Sequence, residues 1–149
     1  MVVTFGPEKQ GSATLLDIRR LSGDFSVSPQ IELDEVQAIK DAGFKSIICN
    51  RPDGEDAGQE MFADICNQAE KLGLHCVFIP MVNTADTESQ LIETRNALIN
   101  LPKPVLAYCR SGTRCTVLWV MLQMDRMQPD AILAATSAAG YNMSGLFSE

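Results

Sequence analysis

The sequence predicts an α/β domain with a mainly parallel central sheet and helices on both of its faces. Three short apolar runs, at residues 45–49, 74–79 and 104–108, read as buried strands, and longer segments with apolar residues at helical spacing stand between and after them. Strands that lack polar alternation suit a sheet covered on both sides, and their alternation with helices implies parallel pairing. No internal repeat or low-complexity segment competes with this reading.

Taken in order, residues 1–14 mix Pro, Gly, Lys and Ser without periodicity and are expected to form a flexible N-terminal extension, with the folded domain over residues 15–149. Residues 17–21 and 25–28 alternate enough for two short strands joined at Ser22-Gly23-Asp24. Leu33, Val36, Ala38 and Ile39 share a helical face, so a helix is expected over 33–42, closed by Gly43. After the strand at 45–49 comes the polar loop Asn50-Arg51-Pro52-Asp53-Gly54-Glu55-Asp56. Phe62, Ile65, Cys66, Ala69 and Leu72 form the next helical stripe, which stops at Gly73. Beyond the strand at 74–79 and the loop at 80–86, Thr87-Glu88-Ser89-Gln90 has the pattern of a capping box opening a helix to about Asn100. The strand at 104–108 leads into a helix over 113–126, and Pro129 suits the first turn of a last helix that ends at Gly140. Sites in open α/β sheets form beyond the carboxyl ends of the strands. The loops at 50–56, 80–86 and 109–114 are therefore expected to converge.

With 149 residues, 46% of them hydrophobic, the chain can bury one core. Its net charge of −7 and pI of about 4.6 argue against a nucleic-acid partner, which would require clustered positive charge. Any anionic substrate must then be held by local arginines. No apolar stretch reaches the ~18 residues of a membrane span and the start carries no basic region followed by an apolar core, so the expectation is a cytoplasmic protein without a membrane partner. The cysteines are Cys49, Cys66, Cys76, Cys109 and Cys115, with no CxxC pair and a single histidine, His75. This is neither a disulfide framework nor a zinc site, and neither metal nor cofactor is expected.

Cys109-Arg110-Ser111-Gly112-Thr113-Arg114 sits between the last strand and the following apolar helix. Unpaired N–H groups and the helix dipole concentrate positive charge at such a start, which draws in anions and favours thiolate over thiol. Cys109 is the candidate nucleophile. Arg114 is the candidate anion ligand, because its planar fork offers two parallel hydrogen bonds to an oxyanion. Ser111, Gly112 and Thr113 supply the loop's N–H groups. Arg110 is as well suited to point outward as to bind. Arg51 joins the binding residues as a brace for the site.

Asp17-Ile18-Arg19-Arg20-Leu21, Asp24-Phe25-Ser26-Val27-Ser28-Pro29-Gln30-Ile31, Asn50-Arg51-Pro52-Asp53-Gly54-Glu55, the cysteine loop and Ala139-Gly140-Tyr141 together resemble the phosphatase-like domain of beta-lactamase hydrolase-like proteins. The resemblance runs from about residue 15 to the end, with the motifs in order. It implies a fold similar to tyrosine and dual-specificity phosphatases, with the cysteine loop as the active site. Because such proteins are named both as phosphatases and as sulfur transferases, the resemblance leaves the reaction open.

Loop length gives an order of preference. Tyrosine phosphatases place five residues between nucleophile and arginine, whereas four separate Cys109 from Arg114, which resembles the tighter loop of rhodaneses around a persulfide sulfur. Sulfane-sulfur transfer is expected first: the Cys109 thiolate attacks thiosulfate or a persulfide, and a thiol acceptor, such as an acceptor protein, takes the sulfur. The alternative is hydrolysis of a phosphoester through a cysteinyl phosphate, with Asp86 as candidate general acid. A non-catalytic, anion-sensing module is the third reading. Asp86 otherwise reads as an acidic helix start, His75 as a core or edge residue, and Asp53, Glu55 and Asp56 first as turn residues, with supply of an acid or pairing with Arg51 as the alternatives. Cys115 stands where both kinds of loop commonly carry a hydroxyl, with Thr116 as a substitute. The preferred role of Cys115 is packing within the helix, and the alternative is a disulfide with oxidised or persulfidated Cys109.

Overall fold

The computed structural model describes residues 3–5, 14–84 and 87–147. Its strands, in chain order, are β1 Val3–Phe5, β2 Thr14–Leu16, β3 Arg19–Arg20, β4 Phe25–Ser28, β5 Ser46–Cys49, β6 His75–Phe78 and β7 Val105–Tyr108. The last five form one sheet in the order β3-β4-β7-β5-β6, parallel except for the β3–β4 pair. Burial follows from this order. Every residue of β4, β5 and β7 is buried, as uninterrupted runs require, while the edge strands β3 and β6 expose Arg20 and His75.

Helices α1 Val36–Asp41 and α2 Phe62–Lys71 cover one face of the sheet, and α3 Glu88–Asn100, α4 Thr113–Gln123 and α5 Pro129–Ala138 cover the other. The alternation of β7 shows both layers. Leu106 and Tyr108 pack with Val36, Ile39 and Ile65, whereas Val105, Ala107 and Cys109 pack with Val117, Trp119 and Ile132. Helix α4 is buried over Cys115–Val120, so it carries no polar stripe and sits between the sheet and its neighbours α3 and α5. The mainly parallel α/β fold with two helical layers is thus the architecture the sequence implies.

The details differ where local signals compete. The strand expected over 17–21 shrinks to two residues, because the Asp17 carboxylate and Arg19 guanidinium pair with each other at 2.8 Å beside the ladder. The helix expected over 33–42 begins as a 3-10 turn at Leu33–Glu35, and α4 stops at Gln123 instead of 126. Within the stretch expected to lack order, β1 pairs antiparallel with β2; residues 6–13 lie outside the described residues. Helix α3 opens at Thr87, but no capping box forms. Thr87 is buried with its hydroxyl 3.6 Å from the Met121 sulfur, and the Gln90 amide donates to the Pro80 carbonyl at 3.3 Å. A reciprocal contact of that kind stands instead at the 3-10 turn, where the Glu32 N–H donates to the Glu35 carboxylate at 2.8 Å.

The carboxyl ends of β4, β5, β6 and β7 share one edge of the sheet. Asn50 ties their loops together: its N–H donates to the Tyr108 carbonyl at 2.8 Å, its side-chain amide to the Ile79 carbonyl at 2.9 Å, and its own carbonyl accepts the Met81 N–H at 3.0 Å. Asp53 fixes the loop after β5 by accepting the Phe62 N–H at 2.8 Å, which caps α2 from nine residues upstream. The result is a floor for a site, with Cys109 directly after β7.

Candidate active site

Cys109 follows the buried strand β7, and the chain then turns into α4 through Gly112, whose φ of 92 lies in the left-handed region. Only glycine adopts this turn without strain, and a Cβ there would also collide with the Tyr141 hydroxyl. The turn aims the N–H groups of the loop and first helical turn inward. Gly112 donates to the Cys109 sulfur at 3.1 Å. The Cys115 thiol first, and then the backbone N–H groups of Cys115, Gly112 and Arg114, favour the charged sulfur, and against the opposing pull of burial they bring its pKa down to about 6. Cys109 is therefore a thiolate at neutral pH.

Cys115 packs in the core at the start of α4, as the sequence reading prefers, and its thiol also favours the charged form of Cys109. Burial holds its own thiol well above the usual range, so it stays a protonated donor. Thr116 is no substitute, because its hydroxyl donates to the Gly112 carbonyl at 2.8 Å.

Arg114 occupies the mouth of the loop. Its two terminal nitrogens grip Glu55 end-on, at 2.8 Å to each carboxylate oxygen, and Nη1 also donates to the Met81 carbonyl at 2.8 Å. A guanidinium has five N–H donors, so among the described residues Nε–H and the second Nη2–H remain as an unused side-on fork. A fork of this shape matches the geometry of an oxyanion. Glu55 is held down to about pKa 2, first by Arg114 and then, against burial, by Arg51, and stays an anion throughout the neutral range.

Arg51 is buried, with 2% of its surface exposed, and its nitrogens are spent on Glu55 at 3.0 Å, Gln30 at 2.8 Å and Asp56 at 2.7 Å. It braces Glu55 and reaches no open position. Arg110 points away from the sulfur, with 67% of its side chain exposed and a 3.6 Å ion pair to Asp56. Ser111 and Thr113 use their hydroxyls on each other at 3.0 Å, shaping the turn. His75 lies exposed on the edge strand β6, away from the loop. Asp86 lies outside the described residues.

Three contributors escaped the sequence reading. Gln30 follows β4 and adds a fourth loop to the site. Glu55, read from the sequence as a turn residue, an acid or a partner of Arg51, bridges Arg51 and Arg114. Tyr141 donates its hydroxyl to the Ser111 carbonyl at 2.9 Å and so pins the loop from α5's far end. Arg19 in turn lies 5.3 Å from the centre of the Tyr141 ring and donates to the Ala139 carbonyl at 3.0 Å. With the loop braced on both sides, Cys109 is 0% exposed.

The family model for the phosphatase-like domain of beta-lactamase hydrolase-like proteins matches residues 17–126. A beta-lactamase hydrolase-like protein of Xylella fastidiosa is 31% identical over 120 residues, 79% of this chain and 28% of that protein. The chain thus spans about a quarter of the length of such relatives. A crystal structure from Neisseria meningitidis, described as that of a "putative phosphatase", is 33% identical with a TM-score of 0.79, covering 88% of this chain and 94% of that one. The core catalytic domain of the PP-IP phosphatase SIW14 from S. cerevisiae, at 13% identity, shares the fold with a TM-score of 0.63 over 87% of this chain and 80% of that one.

Proposed function

Because the chain belongs to the family of phosphatase-like domains of beta-lactamase hydrolase-like proteins, we propose that it is a cysteine-dependent phosphohydrolase that cleaves phosphomonoesters through a cysteinyl phosphate. What carries this reading is the lowered pKa of Cys109 at the base of the loop together with the side-on edge of Arg114, the loop's last residue, which makes no hydrogen bond among the described residues. In the proposed cycle two oxygens of the phosphoryl group take the Nε–H and Nη2–H of Arg114. The thiolate attacks phosphorus in line, the S–P bond forms, and the ester P–O bond breaks. Asp86 is the candidate acid that protonates the leaving oxygen. Water then displaces the thiolate, a good leaving group because of its low pKa, and phosphate departs.

Family and fold thus reverse the order that loop length alone suggests. Sulfane-sulfur transfer, with thiosulfate or a persulfide as donor and a thiol acceptor, remains as a second reading on one observation: the four-residue spacing closes the N–H groups of Gly112, Arg114 and Cys115 around the sulfur atom itself.

The test assays the parent protein and Cys109→Ser on p-nitrophenyl phosphate and, separately, on thiosulfate with cyanide. Hydrolysis of the aryl phosphate that disappears in Cys109→Ser, with phosphate trapped on Cys109 after rapid quenching, is expected. Cyanide-dependent thiocyanate formation with no phosphate release would replace the proposal by the second reading.

A further inference from the structure

We infer that the protein binds a small monoanionic amphiphile, an apolar body carrying one carboxylate, in a cavity at the opposite end of the sheet from Cys109. The inference goes beyond the proposed function and does not depend on it.

The cavity measures about 560 Å³, inside the range of roughly 300 to 1,000 Å³ that small-molecule sites occupy. It lies between the turn before β4, the second half of α3 and the C-terminal end of α4. Phe25, the first residue of β4, lines it and pairs with Val105, the first residue of β7. The cavity therefore opens at the amino ends of strands whose carboxyl ends carry the cysteine loop. A strand of four residues, roughly 13 Å, separates the two.

Its floor is apolar. Phe25 and Trp119 are buried there, Leu98 and Leu122 are half-buried, and Ile99 at the rim is 72% exposed. One exposed isoleucine is ordinary on a protein surface, but this one continues an apolar wall that runs down to a buried indole. An apolar body laid along that wall would remove it from water.

The charges around the wall select the head of the ligand. Arg95, Lys103 and Arg126 line the cavity with Asp24 and Asp125, which leaves an excess of one positive charge in a chain whose net charge is −7. Among the described residues none of these five side chains forms an ion pair. The Lys103 ammonium is held in place by donating to the carbonyls of Leu98 and Leu101, the latter at 3.1 Å, and its third N–H is left for a ligand. The arginines offer forks that match a carboxylate. A single negative charge balances the cavity. A cation would add to the excess, a neutral body would leave the arginines without a counterion, and the double charge of a phosphate monoester would overshoot.

Trp119 supplies the readout, because it is the chain's single tryptophan and lies in the cavity floor. The experiment titrates the whole chain with dodecanoate below its micelle threshold, following tryptophan emission and, independently, the heat of binding. The expected result is saturable one-to-one binding that inorganic phosphate does not displace, with dodecanol and dodecylammonium weaker by about tenfold. Arg95→Glu combined with Arg126→Glu, at two exposed positions, should weaken dodecanoate by about tenfold and leave dodecanol unchanged. Dodecanol or dodecylammonium binding as tightly as dodecanoate, an unchanged affinity in the double variant, or no saturable heat would overturn the inference. Displacement by inorganic phosphate would move the anion to the cysteine loop and overturn it too. So would a parent dimer that the double variant splits, because the occupant of the cavity would then be a second copy of the chain.

Discussion

Cys49 ends β5 and Cys109 directly follows the neighbouring strand β7, and both are buried, on opposite faces of the sheet. Their chemistry is opposite. Burial pushes the Cys49 thiol up to about 11, and it donates to the Arg51 carbonyl at 3.3 Å, whereas Cys109 is drawn down to about 6. Desolvation penalises the thiolate at both and prevails at Cys49, whereas at Cys109 the donors outweigh it. After β5 the chain enters a polar loop, and after β7 it enters a helix, whose first turn delivers three N–H groups and a thiol to one sulfur.

The largest effect separates the donors from the fork. Arg114→Lys keeps a positive charge and the backbone N–H that points at Cys109, but loses the planar side-on fork and the end-on grip on Glu55. Removing a donor to a developing oxyanion typically costs about 10² to 10³ in turnover. We expect a loss of that order in kcat/KM, with the pH dependence of Cys109 alkylation almost unchanged. Turnover within twofold of the parent would show that the fork binds nothing in the reaction.

Alkylation measures the comparison directly. At pH 7 the thiolate fraction of Cys109 exceeds that of Cys49 by on the order of 10⁴, and the lower intrinsic nucleophilicity of the more acidic thiol takes back about two powers of ten. Peptide-resolved labelling with iodoacetamide should therefore favour Cys109 over Cys49 by about 100-fold, with half-maximal rate near pH 6. Labelling led by Cys66, or a midpoint at the ordinary thiol value, would break the comparison. The same pair predicts opposite pH trends in stability. A lowered folded-state pKa stabilises the fold above the ordinary thiol value, and this contribution is lost as pH falls through about 6; the raised pKa of Cys49 adds stability below the ordinary value, lost as pH rises toward about 11.

The turn that creates the difference should be costly to alter. Gly112→Ala places a side chain at positive φ and against the Tyr141 hydroxyl, a strain of about 2 to 3 kcal/mol. Thermal unfolding should fall by roughly 5 to 10 °C for a domain of this size. Adding Tyr141→Phe removes the colliding hydroxyl and should recover part of that loss, though not the strain at φ 92. No shift on Gly112→Ala would mean that the loop has another stable path.

Which parts were legible follows from the range of the contacts. The sheet, its two helical layers and the cysteine loop were readable because each is written in contiguous residues, and Gly112 announces the tight turn by itself. Glu55 and Arg114 are 59 residues apart, Tyr141 and Ser111 are 30 apart, and Arg51 and Gln30 are 21 apart. No local pattern marks such pairs. The influence of Cys115 on Cys109 was harder to see. Helical periodicity says which face a residue packs, and Cys115 does pack in the core, but it does not say which side chain acts on a loop residue across the left-handed step at Gly112. The missing capping box at Thr87 has a similar cause, since burial against Met121 outweighs a local bond at an exposed helix start.

The smallest effect sharpens which neighbour supports the thiolate. Thr116 and Cys115 are adjacent in α4, yet only the Cys115 thiol serves Cys109, while the Thr116 hydroxyl bonds the Gly112 carbonyl. Thr116→Val removes that hydroxyl at nearly constant volume. The Gly112 carbonyl keeps the Thr116 N–H at 3.0 Å, so the acceptor is not orphaned and the cost should be about 0.5 to 1 kcal/mol, read as a small fall in the urea midpoint. The alkylation midpoint of Cys109 should stay near 6. Cys115→Ala should do the reverse: it deletes the strongest single donor to the sulfur, and the midpoint should climb toward the ordinary thiol value while the N–H groups still hold part of the shift. If Thr116→Val moves the midpoint and Cys115→Ala does not, the donor beneath the nucleophile is the threonine, and the contrast between Cys109 and Cys49 must be rebuilt on that residue.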